Sequence, residues 1–318
     1  MPRILPFDDA AASRAAGLIA EGQIVAVPTE TVYGLAADAG SAEAVARIYA
    51  AKGRPSFNPL IVHVLDVSAA RRLAVFDDEA EALATAFWPG PLTLVLPVRA
   101  DAELAPAVTA GLATVAVRVP AHRAMRAVLA ASGRPLAAPS ANRSGAISPT
   151  TAAHVAASLG DAVSLILDDG ACPAGLESTI VAGREVLRPG PITAEQVAAI
   201  VPWPPAGGRG AVAMPPETAR GRRPVQAPGQ LDSHYAPSKP LRLNATAAQP
   251  DEWLVGFGPI AGDDTLSQAG DLTEAAARLF AALHRADASD RPRIAIAPVP
   301  TDGIGAAIND RLTRAAHR

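Results

Sequence analysis

Apolar positions along this chain follow two periods. Over residues 8–21 they return every third or fourth place in an Ala-rich run, as on a helix with one buried face; Asp8 or Asp9 can cap it and Gly22 ends it. Residues 23–27 read as a strand halted by Pro28, and the polar turn from Thr29 leads into another extended piece. Ser41 caps a helix to Ala51, which delivers the chain to Lys52. Residues 60–65 form a buried strand, 77–87 a helix broken by Trp88-Pro89-Gly90-Pro91, and 92–98 and 114–119 two strands of β-branched and leucine-rich composition. A helix over 121–131, a short strand at 136–138 and a helix from Pro149-Thr150 to Leu159 follow. Strands at 163–167, 178–181 and 186–188 and a helix over 192–200 complete this part.

The pattern changes at Val201. To Pro240 the chain is rich in Pro, Gly, Arg and Ala with little periodicity, which reads as a long linker. Periodicity then returns, with strands at 241–244, 253–257 and 293–297 and helices at 273–285 and 303–317. That β-β-α-β-α order predicts a small Rossmann-like α/β unit. The expected organisation is therefore 1–200 as an α/β catalytic domain, 201–240 as linker and lid, and 241–318 as a C-terminal α/β domain.

Composition narrows the classes. The 318 residues are 49% hydrophobic, enough for a sizeable core, but only 4% aromatic, so packing falls to Ala, Val, Leu and Ile. A formal charge of -3 argues against a globally basic nucleic-acid binder, while a local patch for weak RNA binding stays open. A single cysteine, Cys172, excludes an intrachain disulfide and a Cys-based zinc site. No apolar run approaches the ~18 residues of a membrane span, and Asp8 and Asp9 stand where a signal peptide would be apolar. The expectation is a cytoplasmic protein with no membrane partner.

Polar residues gather at strand ends and in the loops after them: Thr29, Thr31, Lys52, Arg54, Asn58, His63, Thr114, Arg118, Ser140, Asn142, Ser148, Ser178, Thr179 and Arg188. Lys52 is one of only two lysines, the other being Lys239. Pro55 and Pro59 stiffen the stretch that joins it to the 60–65 strand. Arginine forks and a lysine point charge together suit a polyphosphate. Nothing reads G-x-x-x-x-G-K-[ST], so no Walker A loop is present. No acidic cluster has metal-site spacing, so no protein-bound metal is expected; Mg²⁺ would arrive on substrate phosphates. Blander readings stand beside these: His63 as a structural core histidine, Arg118 as an internal ion pair, Cys172 as a packing residue, and the glycines at 256–258 and 303–305 as turn and helix-start positions.

Seven motifs then occur in order: P-T-E-T-V-Y-G-L from Pro28, K-G-R-P-x-x-N-P-L from Lys52, W-P-G-P-L-T from Trp88, V-R-V-P from Val117, A-P-S-A-N-x-S-G from Ala138, G-L-E-S-T-I from Gly175 and L-R-P-G from Leu187. Together they resemble the threonylcarbamoyl-AMP synthases with a YrdC-like fold. The linker ending in Ser233-His234-Tyr235-Ala236-Pro237, with the small domain behind it, resembles the two-domain branch. The resemblance implies a twisted mixed sheet with flanking helices. It also implies formation of L-threonylcarbamoyladenylate from L-threonine, bicarbonate and ATP with release of pyrophosphate, feeding the machinery that modifies tRNA next to the anticodon. It places Thr31, His63, Arg118, Ala138 and Ser178 around threonine. Arg54, Asn58, Thr114, Ser140, Asn142, Ser148, Arg188 and Tyr235 would hold ATP, with Lys52 and Arg54 as the catalytic cations. One departure stands out: the run before the His-Tyr pair is Gln230-Leu231-Asp232-Ser233, where a common version of the pattern carries a lysine and an arginine.

Overall fold

Helices here start where a short side chain can take up a free backbone amide. The computed structural model describes residues 2–202 and 234–317. In chain order the first unit runs β1 (Arg3–Pro6), α1 (Asp9–Ala20), β2 (Val25–Val27), β3 (Gly34–Asp38), α2 (Ala42–Lys52), β4 (Ile61–His63), α3 (Val67–Arg71), α4 (Asp78–Phe87) and β5 (Leu92–Pro97). It continues with α5 (Pro106–Thr109), β6 (Thr114–Arg118), α6 (Arg123–Ser132), β7 (Leu136–Ala137), α7 (Ala152–Leu159), β8 (Leu165–Asp168), β9 (Thr179–Ala182), β10 (Glu185–Arg188) and α8 (Ala194–Ile200). Asp8, Ser41, Asp77 and Thr151 cap α1, α2, α4 and α7 by accepting a first-turn N–H. Thr193 and Gln196 form a reciprocal capping box on α8. Each cap contributes about 0.5–2 kcal/mol.

The strands form one ten-stranded mixed sheet in the order β1-β8-β2-β3-β7-β4-β6-β5-β9-β10. Its central strands are apolar on both faces because helices cover both. Ala26, Leu35 and Ile166 face one core with Ile48, Leu60 and Val62. Their neighbours Val25, Val27, Ala36, Leu165 and Leu167 face the other with Ile19, Met125 and Val128.

The C-terminal unit holds β11 (Leu241–Arg242), β12 (Glu252–Gly256), β13 (Asp264–Thr265), α9 (Leu272–Ala288), β14 (Arg293–Ile296) and α10 (Gly305–Ala316). Its strands are all parallel, in the order β11-β14-β12-β13. The two units pack directly on each other. Val32, Ile147, Leu176 and Tyr235 share one apolar cluster with Leu279, Phe280 and Leu283 of α9. Gly175, at φ +66°, lies so close to α9 that a Cβ there would sit 2.5 Å from the Ala276 carbonyl oxygen.

Several elements differ from the sequence expectation. Strand β1 is absent from it because the strand is an exposed edge flanked by prolines and pairs only with β8. Helices α3 and α5 and the two-residue β13 are too short to show a period. Lys52 is the last residue of α2, closed by Gly53 at φ +60°, and so is not part of the loop that follows. Most of the expected linker, residues 203–233 including Gln230–Ser233, lies outside the described residues. Among the described residues no helix is long and apolar enough to cross a membrane.

Candidate active site

Parallel pairing of β4 with β6 puts His63 opposite Arg118 at the strands' C-terminal ends. The turn between β2 and β3 brings Thr29 and Thr31 beside them, their hydroxyls 2.8 Å apart. Arg118 is held on three sides. Its Nε donates to the Gly90 carbonyl at 3.1 Å, one terminal nitrogen to Thr31 Oγ1 at 2.9 Å, and the other to Glu30 at 2.5 Å. Glu30 also accepts from the His122 backbone N–H at 3.2 Å. Burial, the largest single influence, would raise the Glu30 pKa, but the Arg118 charge together with hydrogen bonds from Arg118 and the backbone outweighs it and holds the carboxyl below its ordinary range. His63 is driven to its neutral form. Burial, then the neighbouring Arg118 charge, push its pKa down to about 3, so the imidazole is neutral, and its Nδ1 has no hydrogen-bond partner.

The second wall comes from the chain after α2. Arg54 is buried, its guanidinium donating to the Asn58 and Pro59 carbonyls at 3.2 and 2.8 Å. Pro59 and Pro55 hold the backbone that makes these acceptors. The Asn58 amide is fully buried with neither side-chain polar atom partnered. Lys52 lies behind this wall. Its ammonium donates at 2.5 Å to the carbonyls of Ser140 and Asn142, and Asn142 Nδ2 donates to Arg143 and Ala146. Burial, then Arg54, depress the Lys52 pKa well below the lysine range.

The third wall is the start of β9. Ser178 Oγ lies 2.7 Å from Thr93 Oγ1, and Arg188 reaches from β10 to the Ser178 carbonyl at 3.0 Å and hydroxyl at 3.1 Å. That reach needs Gly190, where a Cβ would sit 2.4 Å from the Thr179 amide nitrogen. Glu177 accepts from Ser148 Oγ and from Arg311 of α10. His234 and Tyr235 close the top, both buried, with Tyr235 at φ +64°. Burial, followed by the charges of Arg54, Lys52, Arg188 and Arg311, depresses the His234 pKa strongly.

Together these walls bound a crevice lined by Thr29, Thr31, Arg54, His63, Arg118, Ala138, Ser140, Glu177, Ser178, Arg188, His234 and Tyr235. Of the sequence candidates, Lys52, Asn58, Asn142 and Ser148 stand just behind the lining, and each touches or neighbours a lining residue. Thr114 does not line it: it opens β6, at the opposite end of the strand from Arg118. Glu30 and Glu177 are not among the sequence candidates although both sit inside the motifs, because a lone glutamate in a loop carries no sign of the arginine it pairs with. Arg311 has no local signal at all. Among the described residues no group of three or more His, Cys, Asp or Glu could hold a metal, and Glu30 and Glu177 are each committed to an arginine.

A neutral imidazole, several hydroxyls and three arginines around one crevice at the ends of the central strands suit an enzyme site of the anion-handling kind. Comparison with known proteins gives the particular family. Residues 17–190 match the family model described as "Telomere recombination", the Sua5/YciO/YrdC family. Residues 192–317 match "Threonylcarbamoyl-AMP synthase, C-terminal domain". Threonylcarbamoyl-AMP synthase of Bacillus subtilis is 39% identical over 98% of this chain and 94% of its own length, and that of Pyrococcus abyssi 38% identical over 95% and 93%. The crystal structure of P. abyssi Sua5 complexed with L-threonine superposes with a TM-score of 0.86 at 35% identity, over 99% of this chain and 97% of that one. The chain belongs to the two-domain branch of the threonylcarbamoyl-AMP synthase family, and is an enzyme of that family.

Proposed function

We propose that this enzyme joins L-threonine, bicarbonate and ATP into L-threonylcarbamoyladenylate with release of pyrophosphate, and that the product serves threonylcarbamoyl transfer to tRNA. One observation carries the reading: Arg54, Arg118 and Arg188 converge on a single crevice, with Lys52 directly behind its wall. The substrates are a carboxylate, a bicarbonate and a triphosphate, which repel one another in water. A buried array of fixed cations reverses that sign without reorganising.

Threonine is assigned to the end bounded by Thr31, His63, Arg118, Ala138 and Ser178. Arg118 is already fixed by Glu30 and Thr31, so its remaining guanidinium donors are aimed before a carboxylate arrives. A neutral His63 accepts or donates one hydrogen bond without adding charge. The nucleotide takes the other end, along Arg54, Ser140, Arg188 and Tyr235. Lys52 acts there through its field and by holding the Ser140–Asn142 loop. Mg²⁺ enters as part of the ATP substrate.

Bicarbonate takes up a proton and loses water to give CO₂; the threonine amine attacks its carbon, giving a carbamate and returning a proton. The carbamate oxygen then attacks the α-phosphorus and pyrophosphate leaves, so no protein nucleophile is required. Positioning and charge neutralisation supply the catalysis. Closure by His234 and Tyr235 keeps water from the carbamate. The test is pyrophosphate release from ATP with each amino acid in turn, with and without bicarbonate. Release confined to threonine with bicarbonate supports the assignment; release that ignores either one refutes it.

A further inference from the structure

We propose that Arg311, on α10 of the C-terminal unit, is a positioning residue for the crevice: it fixes Glu177 and the ring of Tyr235 from behind and so holds the His234-Tyr235 closure in place. Its side chain is completely buried and lies outside the cavity lining. Its Nε donates to Glu177 Oε2 at 2.8 Å, while its guanidinium carbon sits 5.0 Å over the Tyr235 ring. One terminal nitrogen donates to Asp310 at 2.6 Å, and the other has no hydrogen-bond partner. Each partner of Arg311 leads back to the site. Glu177 lines the crevice and accepts from Ser148. Asp310 accepts from Arg314 at 2.9 Å, and the Arg314 carbonyl accepts the His234 backbone N–H at 3.3 Å. Phe280 of α9 backs the Tyr235 ring with centroids 5.7 Å apart, and the Ala236 N–H donates to the Gly145 carbonyl at 2.8 Å.

A seam that served stability alone has a cheaper solution beside it. The apolar cluster of Leu176, Leu279, Phe280 and Leu283 already joins the units without a charge. Burying a guanidinium and a carboxylate is costly unless their geometry is satisfied. Here the pair instead ties one fixed direction of Tyr235 to one fixed position of Glu177. Tyr235 is a non-glycine residue at positive φ, a backbone state that needs surrounding contacts to persist. The C-terminal unit supplies those contacts through Arg311 and Phe280, which gives that unit a role in catalysis without a ligand of its own.

The inference rests on the nucleotide-site reading above, so its test has one readout that is independent of turnover. Wild type, Arg311→Met, Glu177→Gln, the double variant, Tyr235→Ala and Arg311→Met in the Tyr235→Ala background would be compared. Hydrogen–deuterium exchange of the His234 and Ala236 amides is read without substrates, and KM for ATP and kcat are read from pyrophosphate release. Arg311→Met is expected to lose protection of the His234 and Ala236 amides and to raise KM for ATP about tenfold, because the closed state becomes a smaller fraction of the population. In the Tyr235→Ala background the same substitution is expected to change KM by less than about twofold, since the coupled partner is gone. Unchanged protection of the His234 and Ala236 amides in Arg311→Met overturns the inference, as does a loss of kcat with KM intact, the mark of a merely unstable protein. If wild type shows no threonine- and bicarbonate-dependent release, the functional reading fails, and the exchange data still decide the positioning role.

Discussion

Replacing Arg118 by methionine isolates the pair on which the threonine end is built. Arg118 and Glu30 are both largely shielded from water, and the guanidinium also serves Thr31 and Gly90. Methionine keeps much of the side-chain volume but leaves the Glu30 carboxylate buried with only the His122 N–H. Breaking one side of such a pair costs about 3–5 kcal/mol. In a unit of this size that corresponds to a fall of roughly 6–20 °C in melting temperature. The sign with pH follows from Glu30. In the native protein its pKa is lowered, so its contribution is fully present above the unfolded value of about 4.3 and is lost as pH falls through the folded value. In Arg118→Met both Arg118 contributions are gone, and burial, the largest influence, raises that pKa against the remaining backbone hydrogen bonds. The penalty is then largest at neutral pH and is relieved on acidification as the carboxyl takes up a proton. Urea denaturation at pH 7 and pH 5 should therefore show a stability gap that narrows at the lower pH. The double variant Arg118→Met with Glu30→Gln should recover most of the lost stability while remaining inactive with threonine. A gap of equal size at both pH values, or a double variant no more stable than the single one, would refute the reasoning.

Arg54→Ala removes a crevice cation and the donor to Asn58 and Pro59; pyrophosphate release should drop at least ~100-fold, and a near-normal steady-state rate would contradict the site assignment. Gly190→Ala places a Cβ 2.4 Å from the Thr179 nitrogen, so urea denaturation should show a loss of about 1–3 kcal/mol, together with reduced activity as Arg188 shifts; an unchanged midpoint would contradict the close approach. His63, with its pKa depressed to about 3 against about 6.5 unfolded, takes up a proton only on unfolding in that window, so its contribution lowers stability as pH falls from about 6.5 toward 3. Its imidazole NMR signals should not titrate between pH 5 and 8, and a midpoint near 6.5 would refute its buried, neutral state.

Much was legible along the chain because local chemistry decides it. Caps at Asp8, Ser41 and Asp77 mark helix starts, and buried runs such as 25–27 and 165–167 mark strands shielded on both faces. The motifs named the family and led to Arg54, His63, Arg118 and Arg188, since charged side chains beside apolar runs are visible without coordinates. Pairing is what a sequence conceals. That His63 faces Arg118, that Glu30 occupies the arginine, and that Lys52 braces a loop rather than lining the crevice all depend on register and on long-range contacts. Arg311 is the extreme case: it is one arginine on an amphipathic helix, 134 residues from Glu177. Only the packing of the two units turns it from an ordinary surface-type residue into a buried partner of the site, because burial and counter-charge belong to the assembled structure and not to the chain.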